Sequence, residues 1–267
     1  WSPDSKWLAY SKEDLYFNSE IYIHPADNSQ EPVNISMHPK GDYDPYWSPD
    51  GKKLGFISER NNNDADLWFA WLKKEDWEKT SEDWEEMEEE NENGSNGKKD
   101  AEKEETAEVE IDLEKIHERL EQVTGLPGNE SSILISEDGK TFYFVANRSG
   151  RKRYDAEQDL YSIQWDGKKL TRLTENDQKP GALSFDHSSG NIFMLKSRGM
   201  LAKINPDKPA LKPISVKAEM NIKYRAELEQ IFEEGWRIIQ NNFYDPNHHG
   251  VDWPELKKKY KDYAMKA

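Results

Sequence analysis

Cysteine is absent from this 267-residue sequence, which excludes disulfide bonds, thiol nucleophiles and thiolate metal sites. No long apolar run occurs, so we expect no membrane-spanning helix. The motifs Gly-x-Ser-x-Gly, Gly-x-Gly-x-x-Gly and His-Glu-x-x-His are missing, as is a P-loop. We therefore expect no cofactor, no bound metal and no serine nucleophile of the Gly-x-Ser-x-Gly type.

Apolar residues are scarce, since they make up only 34% of the chain. Aromatic residues nevertheless reach 12%, with 10 Trp and 12 Tyr, which is enough to build a core at this length. The sequence begins with Trp1 and shows neither a start methionine nor a leader. We expect it to be a piece of a longer protein, and this leaves its compartment open.

The negative charge is concentrated in one stretch. The chain has a net charge of −16, and residues 74–110, with 17 acidic residues and 5 lysines, account for −12 of it. No broad basic surface remains, so a nucleic-acid partner is not expected. We predict an acidic, disordered surface insertion over 74–110, whose first part, to about Glu90, forms a solvated helix through Trp77, Trp84 and Met87. Alternatives are a partner-binding arm or a cation sponge.

A short sequence unit recurs four times along the chain. It appears at Trp1–Lys6, Trp47–Lys52, Ile135–Lys140 and, as an echo, Phe185–Gly190, at spacings of 46, 88 and 50 residues. The middle spacing is longer by about the length of the acidic stretch. Pro, Asp and Gly in this unit are typical of a tight turn between two strands.

An alternating strand follows each turn, and a third strand, in two copies led by Asp and in one by Glu, follows that. A short fourth strand closes three copies, at Val33–Ser36, Gln122–Thr124 and Arg172–Thr174. Four short strands per repeat of about 40–50 residues are the signature of a β-propeller blade. We predict a mainly β fold with about four blades over residues 1–217; an ordinary β-sandwich is the alternative.

The composition changes after Met220. Apolar residues at helical spacing predict an amphipathic helix over about 223–242. A second helix should begin at Asp252, because Glu255 stands three residues later and Pro254 lies in the first turn. We therefore predict a second, helical domain over 218–267.

Two polar clusters lie outside the repeats. The pair His248-His249, flanked by Asp245 and Asp252, could be imagined as a metal site, but adjacent side chains point in different directions and a loop explains the segment as well. We interpret the basic cluster Arg151–Arg153 as a solvated turn, and the alternative is that it contacts a peptide carboxylate.

The chain resembles a known family of proteases. Its Trp-Ser-Pro-Asp-Gly-Lys blades are similar to the propellers of TolB-like and tricorn-type proteins. The segments Phe232–Arg237 and Asn242–Trp253 look like the opening of the helical core of tricorn-type serine proteases, and Arg119–Glu130 is similar to their last propeller.

That resemblance implies a large serine peptidase of the S41 class. Its propellers would precede a helical subdomain, a PDZ-like domain and an α/β catalytic domain. The family's catalytic His and nucleophilic Ser would both lie beyond Ala267, so no catalytic role falls on any residue here. The substrates implied are peptides or unfolded polypeptides, which the propeller would guide, and the full-length protein would be a homo-oligomer.

Other readings stay open at this point. A non-enzymatic TolB-like propeller that binds a protein partner is the main alternative. A prolyl oligopeptidase-like hydrolase is a weaker alternative, because it would need a domain with a serine elbow after the propeller and the sequence continues instead with a helical segment. The resemblance suggests a cytoplasmic protein, with export to the periplasm as the alternative.

Overall fold

The computed structural model describes residues 1–61, 63–80, 82–84, 86–87, 107–125, 127–147, 157–186 and 188–266. The chain divides into two compact units, Trp1–Ser215 and Val216–Ala267. The first unit is built from β-strands and the second from helices, so the predicted order of a β region followed by a helical region is confirmed.

Four antiparallel sheets make up the first unit, and each is one propeller blade with its strands in chain order. Blade 1 has three strands, which are equivalent to the second, third and fourth strands of the other blades: β1 (Trp7–Glu13), β2 (Ser19–Pro25) and β3 (Val33–Asn34). Blade 2 has four: β4 (Asp42–Trp47), β5 (Lys53–Asn61), β6 (Asp64–Trp71) and β7 (Leu120–Gln122).

Blades 3 and 4 follow the same plan. Blade 3 consists of β8 (Glu130–Ile135), β9 (Thr141–Asn147), β10 (Gln158–Gln164) and β11 (Thr171–Arg172). Blade 4 consists of β12 (Gly181–Asp186), β13 (Asn191–Lys196), β14 (Met200–Asn205) and β15 (Lys208–Ile214). The sequence did not predict β15, because its basic, proline-containing segment lacks the pattern that marks the other fourth strands.

The recurrent turn has the same hydrogen bonds in blades 1, 2 and 3. In blade 2, Ser48 Oγ donates to Asp50 Oδ1 at 2.5 Å and accepts from the Lys53 amide at 2.9 Å. Ser2 with Asp4 and Ser136 with Asp138 repeat this arrangement at 2.6 Å. Blade 4 differs, since its turn bonds run from Ser188 and Gly190 to Asp186. The serine of the motif therefore determines the turn.

The core lies between neighbouring blades rather than within them. Ile21 and Ile23 of blade 1 pack against Leu54 and Phe56 of blade 2. Similar buried clusters join blade 2 to blade 3 and blade 3 to blade 4, through Phe69 with Phe142 and Tyr143 with Phe185 among others. Each blade thus depends on its neighbour to bury its apolar faces.

The acidic insertion lies between β6 and β7, as the repeat spacing requires. Its first helix, α1 (Lys74–Trp77), is shorter than predicted. It stops because the Asp83 carboxylate accepts hydrogen bonds from the Thr80 amide and hydroxyl, each at 2.7 Å, at the start of a second helical stretch that includes residues 82–84 and 86–87. The predicted disorder concerns residues that lie mostly outside the described part of the chain.

The second unit is a helical hairpin. Helix α2 (Tyr224–Asn242) and helix α3 (Trp253–Ala264) begin and end close to the predicted positions. Asp252 caps α3 by accepting from the Glu255 amide at 2.9 Å. Trp236, the one side chain of α2 that is buried, stacks on Trp253 with ring centroids 4.4 Å apart. Within the described residues, no helix is long and apolar enough to cross a membrane.

Candidate functional site

Each blade has two ends, and because neighbouring strands are antiparallel the loops and turns that join them alternate between these ends. The recurrent turns join the first and second strands at one end, which we call the turn end. The hairpins between second and third strands and the links between blades lie at the other, which we call the clamp end. The clamp end contains most of the buried acidic side chains and an exposed apolar hairpin tip, so it is the candidate functional surface.

A three-residue arrangement recurs at the clamp end of blades 1, 2 and 3. We call it the clamp. It consists of an acid at the start of the third strand, a polar residue on the fourth strand, and a hydroxyl residue two positions later. Strand register makes these residues equivalent, because Tyr22, Trp68 and Tyr161 pair with Asn34, Gln122 and Arg172. The three sets are Glu20, Asn34 and Ser36; Asp66, Gln122 and Thr124; and Asp159, Arg172 and Thr174.

One bond of the clamp is common to all three blades. The hydroxyl oxygen accepts from the backbone amide that follows the acid, at 2.9 Å from Ile21 to Ser36, 2.8 Å from Leu67 to Thr124 and 2.9 Å from Leu160 to Thr174. The hydroxyl therefore continues the strand pairing past the last backbone pair, and in blades 1 and 3 it also donates to the acid, at 2.8 Å.

In blade 3 the clamp contains an ion pair, because its fourth-strand residue is an arginine. Arg172 Nη2 donates to Asp159 Oδ2 at 2.5 Å, and Thr174 Oγ1 donates to Asp159 Oδ1 at 2.8 Å. The amides of Asp177 and Gln178 add two longer bonds at 3.3 Å. Burial acts to raise the pKa of Asp159, but these donors outweigh it, so the pKa of Asp159 is lowered.

In blade 2 the equivalent acid has weaker partners. Asp66 Oδ2 accepts from the neutral Gln122 amide at 3.1 Å. The Thr124 hydroxyl turns to Glu130 instead, at 3.3 Å. Asp66 Oδ1 is buried and receives no hydrogen bond from a described donor. Burial, with the nearby charge of Asp64, raises the pKa of Asp66 to about 6.

The link between blades 1 and 2 is organised by an arginine. Arg60 Nη2 lies 3.1 Å from both Asp42 carboxylate oxygens, and its Nε donates to Ser58 at 2.8 Å. The guanidinium also lies 4.8 Å from the centre of the Trp68 ring. Burial still raises the pKa of Asp42 despite these bonds.

An apolar hairpin tip projects from the clamp end of blade 1. Leu15, Tyr16 and Phe17 are 93%, 89% and 83% exposed. Asp14 holds the tip in one conformation, since its Oδ1 accepts from the amides of Tyr16 at 2.7 Å and Asn18 at 2.9 Å. Three large apolar side chains on a preformed turn are suited to contact an apolar ligand.

The turn end of blade 2 holds the root of the acidic insertion. Residues 82–84 and 86–87 are helical, as predicted, but Trp84 stacks on Trp71 at 5.3 Å, so this part of the insertion packs on the blade through that side chain. Lys53 lies beneath the stack, 4.6 Å from the Trp71 ring centre, and donates to the Gly139 carbonyl at 3.0 Å. Burial lowers the pKa of Lys53.

A cavity of about 650 Å³ opens beside this root. Trp77, Ile111 and Leu113 supply its apolar wall, and charged side chains surround it. Arg119 is buried there, and its guanidinium donates to the carbonyls of Trp71, Leu72, Asp112 and Glu114. All of these are backbone oxygens, so Arg119 fixes the return of the insertion and offers no free charge to a ligand.

The paired histidines form an aromatic cluster. His248 stacks between Phe243 and Trp253, at 5.4 and 4.3 Å, whereas His249 Nε2 lies 2.6 Å from the Tyr244 hydroxyl. Within the described residues, no group of three or more His, Cys, Asp or Glu side chains is placed to hold a metal. The Arg151–Arg153 cluster and His187 lie outside the described residues.

Sequence reasoning found the acids of the third strands and the short fourth strands, but not their assembly into clamps. The signal was present, since Asn34, Gln122 and Arg172 each precede an apolar residue and then Ser or Thr. The hairpin tip left a weaker signal, three apolar residues between Asp14 and Asn18.

Comparison with known proteins agrees with the predicted resemblance. Residues 224–267 match the family described as the Tricorn protease C1 domain. Over 283 residues the chain is 25% identical to a predicted Tricorn-like protease C-terminal subunit of Sulfurisphaera tokodaii, covering 97% of this chain and 30% of that protein. This chain thus spans about a third of the length of the curated relative it matches. The resemblance to tricorn-type proteases is confirmed.

Solved structures confirm the fold. The crystal structure of the tricorn protease matches with a TM-score of 0.70 at 15% identity, covering 99% of this chain and 27% of that one. TolB from Acinetobacter baumannii matches with a TM-score of 0.50 at 16% identity, covering 82% of this chain and 44% of that one. At such identities the likeness shows the propeller fold alone.

Proposed function

We propose that this chain is the substrate-handling part of a tricorn-like serine peptidase that degrades peptides and unfolded polypeptides. The observation that supports this most is the order of parts: four propeller blades followed by a helical segment, residues 224–267, that matches the Tricorn protease C1 domain. The unit Trp1–Ser215 would be the end of a propeller and the unit Val216–Ala267 the start of the core.

In this proposal the catalytic residues lie outside the chain. A serine would attack the peptide carbonyl, a histidine would act as general base, and backbone amides would stabilise the oxyanion. The blades would contribute by contacting the polypeptide before cleavage. The exposed tip Leu15–Phe17 is the surface best suited to that contact, because it is apolar and held in place before any ligand arrives.

Peptide hydrolysis by the complete protein, with and without a serine-directed covalent inhibitor, tests the peptidase. We expect inhibitable cleavage and one labelled serine beyond residue 267. The isolated 267-residue chain should not cleave peptides. An absence of both cleavage and labelling in the complete protein would contradict the proposal.

The double variant Tyr16→Ser, Phe17→Ser tests the role of the tip. For long unstructured substrates we expect KM to rise several-fold with little change in kcat, since uniform binding is lost and the chemistry is untouched. Leu170→Ser is the matched control, because Leu170 is also exposed, at 38%, but follows a turn at the opposite end of blade 3. Equal effects of the two variants would remove the tip from substrate binding.

A binding propeller without peptidase activity is the second candidate. The same exposed tip and the fold likeness to TolB favour it. In that case the tip variant should weaken capture of a protein partner by the complete protein while no serine becomes labelled.

A further inference from the structure

Blade 4 carries a groove lined by lysines at the turn end. A cavity of about 490 Å³ opens beside the turn that joins β12 to β13 and the hairpin that joins β14 to β15. Its charged lining consists of Lys203, Lys208, Lys212 and a single acid, Asp207. We call it the lysine groove. Residues 191–214 contain five basic residues and one acidic residue, so this part of an anionic protein is locally cationic.

The lysine groove lies on the face of blade 4 that points away from blade 3. Ile192 and Ile204 are buried between blades 3 and 4. Because successive side chains of a strand alternate between its two faces, Phe193 and Lys203 lie on the opposite face. Phe193, Lys203 and Lys212 are neighbours across three strands, and Lys203 Nζ lies 5.8 Å from the centre of the Phe193 ring. This face therefore presents cations beside an aromatic ring.

Two lysines stand opposite each other in the groove. Lys203 on β14 and Lys212 on β15 are direct partners in the strand register, and like charges in this position destabilise a sheet. Among the described residues, no acidic side chain forms an ion pair with Lys203, Lys208 or Lys212. The equivalent positions of blades 1, 2 and 3 hold no such pair of like charges, since they are Ile23 with Val33, Phe69 with Glu121 and Ser162 with Thr171. The repulsion belongs to blade 4, and an anion in the groove would remove it.

The walls of the groove are held in place by their own hydrogen bonds. The Asp207 amide donates to Asn205 Oδ1 at 3.0 Å, which fixes the hairpin between β14 and β15. Asn205 Nδ2 donates to the Gly190 carbonyl at 3.5 Å, which ties that hairpin to the turn between β12 and β13. Asn191 Nδ2 donates to Ser189 Oγ at 2.6 Å. The amide groups thus serve the walls, and the three lysine ammonium groups are left to meet a ligand.

The positions of the lysines match an extended polypeptide. Lys212 stands opposite Lys203, and Lys208 stands opposite Asn205, two residues further along β14. At about 3.4 Å per residue these two rows are about 7 Å apart. Alternate side chains of an extended peptide have the same spacing. A segment with acidic residues at every second position would place one carboxylate between Lys203 and Lys212 and the next beside Lys208.

We propose that the lysine groove binds an acidic segment of an extended polypeptide substrate, through carboxylates at alternate positions. This inference rests on the proposed function, because it gives the peptidase a preference for acidic polypeptides. The unpaired lysines determine the charge of the occupant, and the spacing of their rows determines its extended form. The acidic stretch of this chain, residues 74–110, leaves from blade 2, whereas the groove faces away from blade 3, so a separate polypeptide is the occupant.

Peptide binding to the 267-residue chain at low salt tests the groove without relying on cleavage. The probe is a fluorescent peptide that alternates glutamate with serine, and the measurement is its anisotropy. Lys212→Glu supplies the missing carboxylate within the sheet, opposite Lys203. We expect it to weaken peptide binding about tenfold. It should also raise the thermal midpoint of the free chain by about 2 °C, because an ion pair replaces a like-charge pair.

Lys169→Glu is the matched control. Lys169 is exposed in the hairpin between β10 and β11, which is the equivalent hairpin of blade 3, and its replacement changes the net charge equally. It should change the Kd of the peptide less than about twofold, since no second lysine stands opposite it. In the parent chain, a peptide with glutamine in place of glutamate should bind about tenfold more weakly than the acidic probe.

Three binding results would overturn the proposal. Equal losses in Lys212→Glu and Lys169→Glu would mean that binding follows net charge alone. A deletion of residues 88–106 that tightens peptide binding in the parent but not in Lys212→Glu would assign the groove to the chain's own acidic stretch. A lower Kd for inorganic phosphate than for the peptide would make the groove a phosphate site.

In the complete protein the groove and the peptidase can fail separately. Lys212→Glu should raise KM several-fold for acidic unstructured substrates, with kcat and the KM of basic substrates unchanged. If Lys203, Lys208 and Lys212 react with an acetylating reagent in the 267-residue chain but are protected in the complete protein, the face is covered and the proposal is wrong. A complete protein that binds the acidic peptide at this groove without cleaving any peptide would contradict the peptidase and support the groove.

Discussion

The two ends of the blades differ in how uniformly they are built. At the turn end, blades 1, 2 and 3 use the same serine and aspartate in the same bonds, at 2.5–2.6 Å. At the clamp end the hydroxyl bond is shared, but the fourth-strand residue is Asn34, Gln122 or Arg172. Turn geometry is thus common to these blades, whereas the electrostatics of each clamp is individual.

The largest loss of stability is expected at the turn end, where the turns of adjacent blades are in close contact. A Cβ added at Gly139 would lie 2.1 Å from Asp50 Oδ2 of the neighbouring blade, at a φ of +69°. Gly139→Ala should therefore cost about 3 kcal/mol in the free energy of unfolding, from strain and from the displaced Asp50. Urea unfolding measures it.

Gly190→Ala is the matched control for that prediction. Gly190 also has a positive φ, +62°, but the nearest atom to an added Cβ is 3.8 Å away. Gly190→Ala should therefore lose only the stability that backbone strain costs, about 1 kcal/mol. If both alanine variants lost the same stability, the contact between turns of adjacent blades would not matter.

The second prediction separates the clamps of blades 2 and 3. At pH 7, Asp159→Asn should lower the free energy of unfolding by about 2 kcal/mol, because Arg172 and Thr174 lose a charged acceptor. Asp66→Asn should leave stability unchanged or raise it slightly, because it removes a buried charge that has no cation. Equal losses, measured by urea unfolding, would mean that the two clamps are electrostatically alike.

A smaller difference in stability tests whether the contribution of each turn hydrogen bond depends on its burial. Ser48 is fully buried, whereas Ser136 is partly exposed. Ser48→Ala should cost about 2 kcal/mol, since the Lys53 amide and Asp50 lose a partner away from water. Ser136→Ala should cost about half as much, because water replaces the hydroxyl. The reverse order in thermal unfolding would contradict this reading.

Much of the fold follows from the sequence. The turns were predictable because Pro, Asp and Gly specify them locally, and α2 and α3 because apolar spacing and the Asp252 cap are local signals. Strand β15 was not predictable in this way, since its pairing with β14 depends on tertiary contacts. The short α1 also departed from prediction, because the Thr80–Asp83 bonds compete with a continuous helix.

The candidate site was predictable only in part. The acids at the third strands recur in register, but a sequence does not show which of them meets Arg172 and which meets Glu130. Those partners come from other strands and from the next blade, at separations of 13 residues for Asp159 with Arg172 and 56 for Asp66 with Gln122. The charge state of each acid therefore depends on which side chains the fold places beside it.

The root of the insertion has a consequence for how this protein tolerates change. The Lys74 amide donates to Asp112 at 2.8 Å, and Lys73 Nζ lies 2.6 Å from Glu110, so the chain leaves and rejoins blade 2 at neighbouring points. The entropy of closing the intervening segment grows only slowly with its length. Because Trp84 stacks on Trp71 and Val109 is buried, we expect only the sequence between these two residues to tolerate shortening, lengthening or replacement by a foreign domain without a shift in the pairing of β6 with β7.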